Sequence, residues 1–307
     1  MHTLNRACMQ ICNHRKMSIQ RKSELMVILA GICWGIISIF IRPLNEAGLT
    51  SMQITAVRLT TAALIMTPLM LIRAPEKMRV KPKDLWLFFL TGTVFTVGYA
   101  AFYIYANVYG ETSVAIVLLY TSPVWVVLFS VPMFHERITP VKAAAIVLTM
   151  AGCILVSGIL KGVKNITPAV ILTGLASGLS YGLYTVYARV AMQRYESLTV
   201  TAYTLIFAML GILPLGNLSG VLSAVPAHPE ILFWGFGIGI VCMILPVFLF
   251  NAGLEHIETG KAAILVALEP VVGVLIGMLL WHESHSPMKI AGIVLVITAI
   301  ILVNRDS

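Results

Sequence analysis

One carboxylate lies inside an apolar stretch that is long enough to cross a membrane. The stretch runs from Ile264 to Glu283 and carries Glu269-Pro270 near its middle. A helix needs roughly 20 apolar residues to span the hydrocarbon core of a bilayer, and this stretch has about that length. Since an ionisable group at membrane depth costs a few kcal/mol or more, such a group usually marks a functional site. Glu269 is therefore the first candidate.

The same stretch has an earlier copy in the chain. At an offset of 147 residues, the segment 111–156 aligns with 258–303 without a gap, and 19 of the 46 pairs are identical. The shared residues include Pro123/Pro270 and the pairs His135-Glu136 and His282-Glu283. Ser122 stands where the second copy has Glu269. The prolines thus belong to the repeated architecture, whereas the carboxylate belongs to one copy.

Three roles for Glu269 follow from its surroundings. Burial favours the neutral acid, which would let the side chain carry a proton. Arg58, the one basic residue deep in a predicted span, could instead hold Glu269 ionised in a structural pair. A cationic substrate could also be its partner. The sequence leaves these three roles open.

Polar and aromatic residues at helical spacing indicate a ligand cavity. Small residues on the same faces are typical of close helix packing, but packing has no need for polar aromatics at matching depth. The predicted cavity side chains come from several spans: Trp34, Ser38, Tyr99, Tyr103, Ser122, Tyr181, Thr185, Asn251 and Glu269. Pro123 and Pro270 are expected to bend their helices and to aim this polar face inward.

Other chemistries find no support in the sequence. His282-Glu283-Ser284-His285 lacks the HExxH spacing of a zinc protease, and Gly158–Lys164 lacks the ending of a nucleotide-binding loop. Cys8 and Cys12 with His14 resemble half a zinc site, but no second ligand pair follows. We therefore predict no catalytic residues, no metal and no cofactor.

The composition is that of a membrane protein. Hydrophobic residues make up 59% of the chain and charged residues 11%, against roughly 45–50% and 25% in ordinary globular domains. Several apolar runs predict spanning helices, because open sheets cannot satisfy their backbone groups in lipid. We predict ten spans: 24–41, 51–72, 84–107, 112–134, 139–158, 167–188, 199–217, 230–252, 260–281 and 286–303.

Basic residues orient these spans. Sixteen Lys and Arg fall on the side of the chain termini and four on the other side, with Arg58 inside the membrane. Since cytoplasmic loops carry the excess of Lys and Arg, both termini are predicted to be cytoplasmic. The net charge of +8 is then a topology signal. It does not indicate a nucleic-acid partner.

The repeat divides the chain into three parts. We predict a basic cytoplasmic tail at 1–23, a first repeat at 24–158 and a second repeat at 167–303. Each repeat holds five spans, and an odd number makes the second copy enter the membrane from the opposite side. The fold class is therefore an all-α integral membrane protein with a five-plus-five inverted-topology repeat, an architecture typical of secondary transporters.

Three segments together resemble the EamA-type branch of the drug/metabolite transporter superfamily. They are WGIISIFIRPLNEAG with TAVRLTTAAL in repeat one, SPVWVVLFSVPMFHERITPVKAAAIVLTMAGCILV at its end, and LEPVVGVLIGMLLWHESHSPMKIAGIVLVITAIIL in repeat two. The resemblance implies a central cavity lined by helices one, three, four, six, eight and nine. It also implies movement of small metabolites such as amino acids, amines, nucleosides, sugars or drugs. The family often has a small residue before Glu136 and Glu283, where this chain has His.

The functional expectation is an alternating-access transporter in the cytoplasmic membrane, with proton coupling left open. Its expected partners are a small-molecule substrate and the lipid bilayer, with a second copy of the chain as a further candidate. A passive channel or structural membrane component is the alternative. A membrane-embedded lipid enzyme is a weaker alternative, because no nucleophile or metal cluster converges at an interface.

Overall fold

The computed structural model describes residues 2–161, 166–282 and 286–305, with side chains from residue 19 onward except that of Lys161. The described residues form helices and turns, without a strand. We number the spanning helices in chain order: α1 (Ile19–Glu46), α2 (Ser51–Arg73), α3 (Pro82–Tyr109), α4 (Thr112–Phe134), α5 (Pro140–Ser157), α6 (Pro168–Met192), α7 (Ser197–Ile212), α8 (Glu230–Leu254), α9 (Thr259–Leu280) and α10 (Pro287–Arg305). The helix that leads into α1 begins at His2.

The predicted all-α architecture is confirmed. Within the described residues, nine of the numbered helices are long and apolar enough to cross a membrane, and α7 is a shorter apolar helix of 16 residues. Helix α7 ends at Ile212, whereas the predicted span continued to residue 217. Pro214 follows closely, and a proline cannot donate the backbone hydrogen bond that continues a helix.

Threonines begin several of the helices. Thr50 caps α2 in a reciprocal arrangement with Gln53, in which each side chain receives a backbone N–H. Thr139 and Thr167 accept the N–H groups three residues on, at 3.1 and 3.3 Å, and each stands directly before a proline. Proline suits the first helical position because its missing N–H would have no partner there. These local signals fix where α2, α5 and α6 start.

Two of the helices are interrupted at matching points. Helix α4 consists of Thr112–Leu119 and Ser122–Phe134, and α9 consists of Thr259–Leu265 and Leu268–Leu280. Each second segment contains one of the repeated prolines, Pro123 or Pro270, in its first turn. The ring removes a backbone donor just where each helix breaks. The helix is therefore interrupted beside the proline in both copies.

Helices α3 and α8 share a different irregularity. Each contains a π-helical segment, Phe89–Val97 in α3 and Ile240–Ile244 in α8. At the offset of 147 residues the second segment falls on residues 93–97, inside the first. π-Helical turns are uncommon and are frequently found at functional sites. The distortion is therefore a property of the repeat.

The two repeats pack in the same way on each other's helices. A Cβ at Gly35 in α1 would lie 2.7 Å from the carbonyl oxygen of Glu269 in α9, and one at Gly182 in α6 would lie 3.1 Å from that of Ser122 in α4. Both pairs are related by the 147-residue offset. Glycine lets the backbones approach this closely. The contacts of α1 with α9 are thus repeated by α6 with α4.

The bundle has two ends, which we name by the chain. The terminal face carries the start of α1, the end of α10 and the turns after α2, α4, α6 and α8. The opposite face carries the turns after α1, α3, α5, α7 and α9. The main apolar core lies between the helices nearer the terminal face and includes the fully buried Phe88, Leu205 and Phe250.

Candidate functional site

A cavity of about 750 Å³ opens between the two repeats. Its wall includes Asn45, Ser51, Asn107, Thr112 and Lys289, which stand at helix ends on the opposite face. Its deepest lining residues lie near the breaks in α4 and α9. Pockets for small molecules are usually concave spaces of roughly 300–1,000 Å³ with a few convergent polar groups. Both the volume and the lining suit a small ligand that enters from the opposite face.

Two opposite charges line the cavity. The guanidinium of Arg58, on α2, donates to the hydroxyl of Tyr99 at 3.3 Å, while its buried Nε has no hydrogen-bond partner among the described residues. The carboxyl of Glu269, at the start of the second segment of α9, has the hydroxyl of Tyr120 as its hydrogen-bonding neighbour. The ion pairs of the described residues do not include one between Arg58 and Glu269. Both charges can therefore face a ligand.

Aromatic rings form the wall around these charges. Trp34, Tyr99, Tyr103 and Tyr120 line the cavity. Behind them, Tyr181 packs against Trp34 with ring centroids 6.4 Å apart and against Tyr99 at 5.4 Å. Such pairs hold aromatic side chains in fixed orientations. The cavity therefore combines a rigid aromatic wall with a few polar groups.

Most of the predicted site residues from the first repeat reach this cavity. Trp34, Ser38, Tyr99 and Tyr103 line it, and Arg58, Glu269 and Pro270 join them. The Oγ of Ser38 is buried without a hydrogen-bond partner among the described residues, so it too can receive a ligand.

The predicted residues that do not line the cavity are Ser122, Pro123, Tyr181, Thr185 and Asn251. Apart from Tyr181, which lies behind Trp34, these residues are buried among helices nearer the terminal face. Asn251 is fully buried: its amide donates to Thr201 Oγ1 at 3.0 Å, and its carbonyl accepts from the hydroxyl of Tyr184 at 3.3 Å. Helical spacing identified the faces of these helices, but it could not indicate which half of the bundle is open.

Several lining residues were missed by the sequence reasoning. Thr55 lies three residues before Arg58 on α2, so the two share a helix face, and this spacing was an available signal. Asn45, Asn107 and Lys289 lie at helix ends, where polar residues are common and carry little information. Their role follows only from the space between the helices.

Ion pairs close the terminal face. Lys261 pairs with Glu24 at 2.6 Å, and both side chains are largely buried. Lys142, also buried, pairs with Glu258 and donates to the carbonyl of Arg137 at 2.9 Å. These contacts join α1 to α9 and α5 to the turn before α9. The cavity consequently ends well short of this face.

A second group of contacts ties the α2–α3 turn and α3 to the α6–α7 turn. Asp84 is buried and accepts from Arg194 at 2.5 Å and from the hydroxyl of Tyr195 at 2.7 Å. Burial and the hydrogen bond to Asp84 raise the pKa of Tyr195, so its hydroxyl stays protonated and continues to donate to Asp84. Lys77, in the α2–α3 turn, also pairs with Glu196, in the α6–α7 turn, at 2.8 Å.

Glu136 accounts for one of the repeated His-Glu pairs. Its carboxylate accepts from the backbone N–H groups of Thr259 and Gly260, at 2.6 and 3.1 Å, and so caps the start of α9. A negative charge there also complements the helix dipole. Glu136 therefore has a structural role at the terminal face. Glu283 lies outside the described residues.

The histidines of these pairs share a backbone conformation. His135 and His282 have φ values of 55° and 52°, in the left-handed region, where α4 and α9 end. Glycine adopts this conformation without the steric cost that a Cβ brings. This explains why a small residue suits the position.

Comparisons with known proteins agree with this architecture. The profile of the EamA-like transporter family matches residues 21–158 and again 168–305. An uncharacterized transporter of Archaeoglobus fulgidus is 26% identical over 288 residues, which cover 93% of this chain and 97% of that protein. The uncharacterized inner membrane transporter YicL of Salmonella typhimurium is 25% identical over 298 residues, covering 95% and 98%.

Two further proteins are similar. The pseudopaline exporter CntI of Pseudomonas aeruginosa is 27% identical over 215 residues, which cover 68% of this chain and 72% of that protein. A crystal structure superposes with a TM-score of 0.74 at 20% identity and covers 91% of this chain and 95% of its own. At that identity the superposition supports the fold alone.

Proposed function

Because the chain belongs to the EamA-like transporter family, we propose that it is a secondary transporter that moves a small metabolite by alternating access. It is a multi-pass membrane protein of a transporter family. One observation carries the proposal. The cavity of about 750 Å³ is open towards the opposite face, while ion pairs close the terminal face. A carrier caught in one of its two states has this arrangement.

The excess of Lys and Arg supports an orientation. The terminal face carries most of the basic residues, including Arg79, Arg137 and Arg194, and cytoplasmic turns are typically rich in them. We therefore propose that both termini are cytoplasmic. The cavity then faces outward.

The lining supports a small substrate that carries charge. The guanidinium of Arg58 suits an anionic group, and the carboxyl of Glu269 suits a cationic group or a proton. The naming of one relative as an exporter also supports a carrier. A continuous pore is disfavoured by the buried pair of Lys261 and Glu24 at the terminal face.

Transport by reconstituted protein tests the proposal. A panel of amino acids, amines, nucleosides and sugars is screened for a rise in Tm of the purified protein. The compound that raises it most is then followed, radiolabelled, in liposomes. Saturable uptake with counterflow, in which unlabelled compound inside drives labelled compound inward, is the expected result. Uptake that rises linearly with concentration and shows no counterflow would instead indicate a passive channel.

Proton coupling through Glu269 is tested in the same liposomes with Glu269→Gln. If the carboxyl carries the proton, this variant exchanges substrate but no longer responds to a pH gradient. A variant whose transport and pH response both match those of the unaltered protein would remove Glu269 from coupling.

A further inference from the structure

We propose that Tyr184, Thr201 and Asn251 form a second, latent subsite for substrate, uncharged and hydrogen-bonding, which is buried here and lines the cavity once the terminal face opens. The inference rests on the alternating-access function proposed above. It assigns a role to polar groups that the open cavity does not use.

The internal repeat relates these residues to the open cavity. We call two residues counterparts when they are 147 positions apart. Tyr184, Thr201 and Asn251 are the counterparts of Ile37, Ile54 and Ile104, and all three isoleucines line the open cavity. The latent positions therefore hold polar side chains where the open half holds aliphatic ones.

The offset is a relation of structure as well as of sequence. A Cβ at Gly31 would lie 3.1 Å from the carbonyl oxygen of Val266, and one at Gly178 would lie 3.0 Å from that of Leu119. Both members of each pair are counterparts. Since an inverted repeat can exchange the conformations of its halves, residues that line one cavity have counterparts that line the other.

The counterparts of the cavity lining are closed in this state. Nearly all of them are buried, and the exceptions are Tyr181, Met192, Leu198, Glu255 and Asn304. Two of these exceptions, Met192 and Glu255, line a smaller hollow of about 310 Å³ at the terminal face. Their own counterparts, Asn45 and Val108, stand at the mouth of the open cavity. The hollow thus marks the place where the second mouth would form.

The latent groups are satisfied by one another while they are buried. Asn251 donates to Thr201 at 3.0 Å and accepts from Tyr184 at 3.3 Å. Buried polar groups need such partners, and these two hydrogen bonds offset the cost of holding the three side chains away from water. Opening would free the same donors and acceptors for a ligand.

The latent half lacks two of the three charges that line the open cavity, whereas Lys289 has a charged counterpart in Lys142. The counterpart of Arg58 is Leu205, and that of Glu269 is Ser122. The counterpart of Tyr99, which accepts from Arg58, is Pro246. The latent subsite therefore offers hydroxyl and amide groups, which suit an uncharged polar part of the substrate. The guanidinium of Arg58 belongs to the open cavity only.

Cysteine labelling tests whether these positions open. The five native cysteines are replaced by serine or alanine, and Ile104→Cys, Asn251→Cys or Thr201→Cys is introduced singly. A membrane-impermeant maleimide is added to right-side-out or inverted vesicles. Ile104→Cys is expected to react from the outside. Asn251→Cys and Thr201→Cys are expected to react from the cytoplasmic side, at least about tenfold faster than the matched control Thr149→Cys, a fully buried residue on α5 whose counterpart does not line the cavity.

The charge asymmetry is tested with two further reagents. An anionic sulfonate and a cationic trimethylammonium methanethiosulfonate are compared at each position, with free 2-mercaptoethanol as the reference. The anionic reagent is expected to be favoured at position 104, because the open cavity is lined by two basic side chains, Arg58 and Lys289, and by one carboxyl, that of Glu269. The anionic-to-cationic rate ratio should be lower by about fivefold at positions 201 and 251. Equal ratios would overturn the assignment of an uncharged subsite.

The outcomes separate this inference from the proposed function. Both latent positions reacting as slowly as Thr149→Cys, in protein that shows substrate counterflow, would overturn the latent subsite and leave the transporter intact. Absence of counterflow would overturn the transporter itself. Because cysteine is close to threonine in volume, Thr201→Cys keeps the test valid even if Asn251→Cys fails to fold.

Discussion

Arg58 is the residue that most strongly determines which ligand the open cavity can bind. It is buried, its Nε has no partner within the described residues, and its counterpart is the apolar Leu205. A buried guanidinium without a full set of acceptors is costly unless a ligand or water supplies them. This favours an anionic group of the substrate at Arg58.

Replacement of Arg58 should show how much the charge of its side chain contributes to ligand affinity. Arg58→Leu introduces the residue found at the counterpart position, Leu205. Hydrogen bonds to charged groups are worth about 1.5–3 kcal/mol, so binding of a carboxylate-bearing ligand should weaken by roughly 10- to 100-fold. The Kd from isothermal titration measures the effect.

Arg58→Lys serves as the control, because it keeps the charge and loses the planar donor fork. It should fall between the unaltered protein and Arg58→Leu. Equal affinity of all three proteins for a carboxylate would refute an anion-binding role.

The variant His135→Gly should be more stable than the unaltered protein. Its φ of 55° is unfavourable for a residue with a Cβ by roughly 1–2 kcal/mol, a cost that His135→Gly removes. Glycine also makes the unfolded chain more flexible, so a net gain of about 0.5–1 kcal/mol is expected. The Tm of the detergent-solubilised protein should rise. His256→Gly is the matched control, since His256 lacks a positive φ and its Tm should fall; a fall for both variants would contradict the explanation.

At the scale of the helices, the contact of α1 with α9 depends on a missing side chain. A Cβ at Gly35 would lie 2.5 Å from the Cβ of Val272 and 2.7 Å from the carbonyl oxygen of Glu269. Gly35→Ala must therefore move α1 or α9, and overpacking of this kind costs about 1–3 kcal/mol. Thermal unfolding should report the loss.

Gly273→Ala is the companion variant on the other helix of this contact. A Cβ at position 273 meets only the carbonyl oxygen of Gly35 within 4 Å, at 3.6 Å, which is an ordinary contact. Its Tm should stay close to that of the unaltered protein. Equal losses for the two variants would contradict the close approach at Gly35 as the cause, because alanine has the higher helix propensity and propensity alone would raise both Tm values.

The sequence predicts these elements unequally well. Pro123 and Pro270 indicate the breaks in α4 and α9 because a proline has a definite effect on its own helix. The π-helical turns in α3 and α8 have no comparable local signal, since they are settled by packing against neighbouring helices. Helix α7 was predicted too long because apolar residues continue past its end at Ile212.

The candidate site, too, could be predicted from the sequence only in part. Helical spacing predicted a shared cavity for Trp34, Tyr99 and Glu269, and all three residues line the same space. The same spacing placed Asn251 on an inward face. Which half of the bundle is open depends on how whole helices are placed relative to one another. An inverted repeat allows two nearly equivalent arrangements of its helices, one open at each face. Asn251 therefore lies in the closed half.

For the whole molecule, the ion pairs at the terminal face should set the balance between its two states. The pair of Lys261 and Glu24 is the most buried of them, so the loss of its charge should cost the closed face about 1–3 kcal/mol. Glu24→Gln is expected to raise the rate of amide hydrogen exchange in residues 193–200 and 255–262 by roughly 5- to 100-fold.

Glu46→Gln offers a matched control on the same helix. Glu46 pairs with Arg42 at the other end of α1, where both side chains are more than half exposed. Exposed pairs contribute about 0–1 kcal/mol, so this variant should leave exchange at the terminal face unchanged. If neither variant alters exchange, the ion pairs do not hold the face closed.

The short seventh helix has a consequence for the lipid around the protein. Sixteen residues at 1.5 Å each give α7 a length of about 24 Å, below the hydrocarbon thickness of roughly 30 Å in a typical bilayer. Exposed leucines continue past its end, among them Leu213 and Leu215, and the chain then turns into the short helix Leu218–Ala224. Such hydrophobic mismatch is relieved by local thinning of the bilayer. The acyl-chain length of the surrounding lipid should therefore influence this protein in the way that a bound effector would.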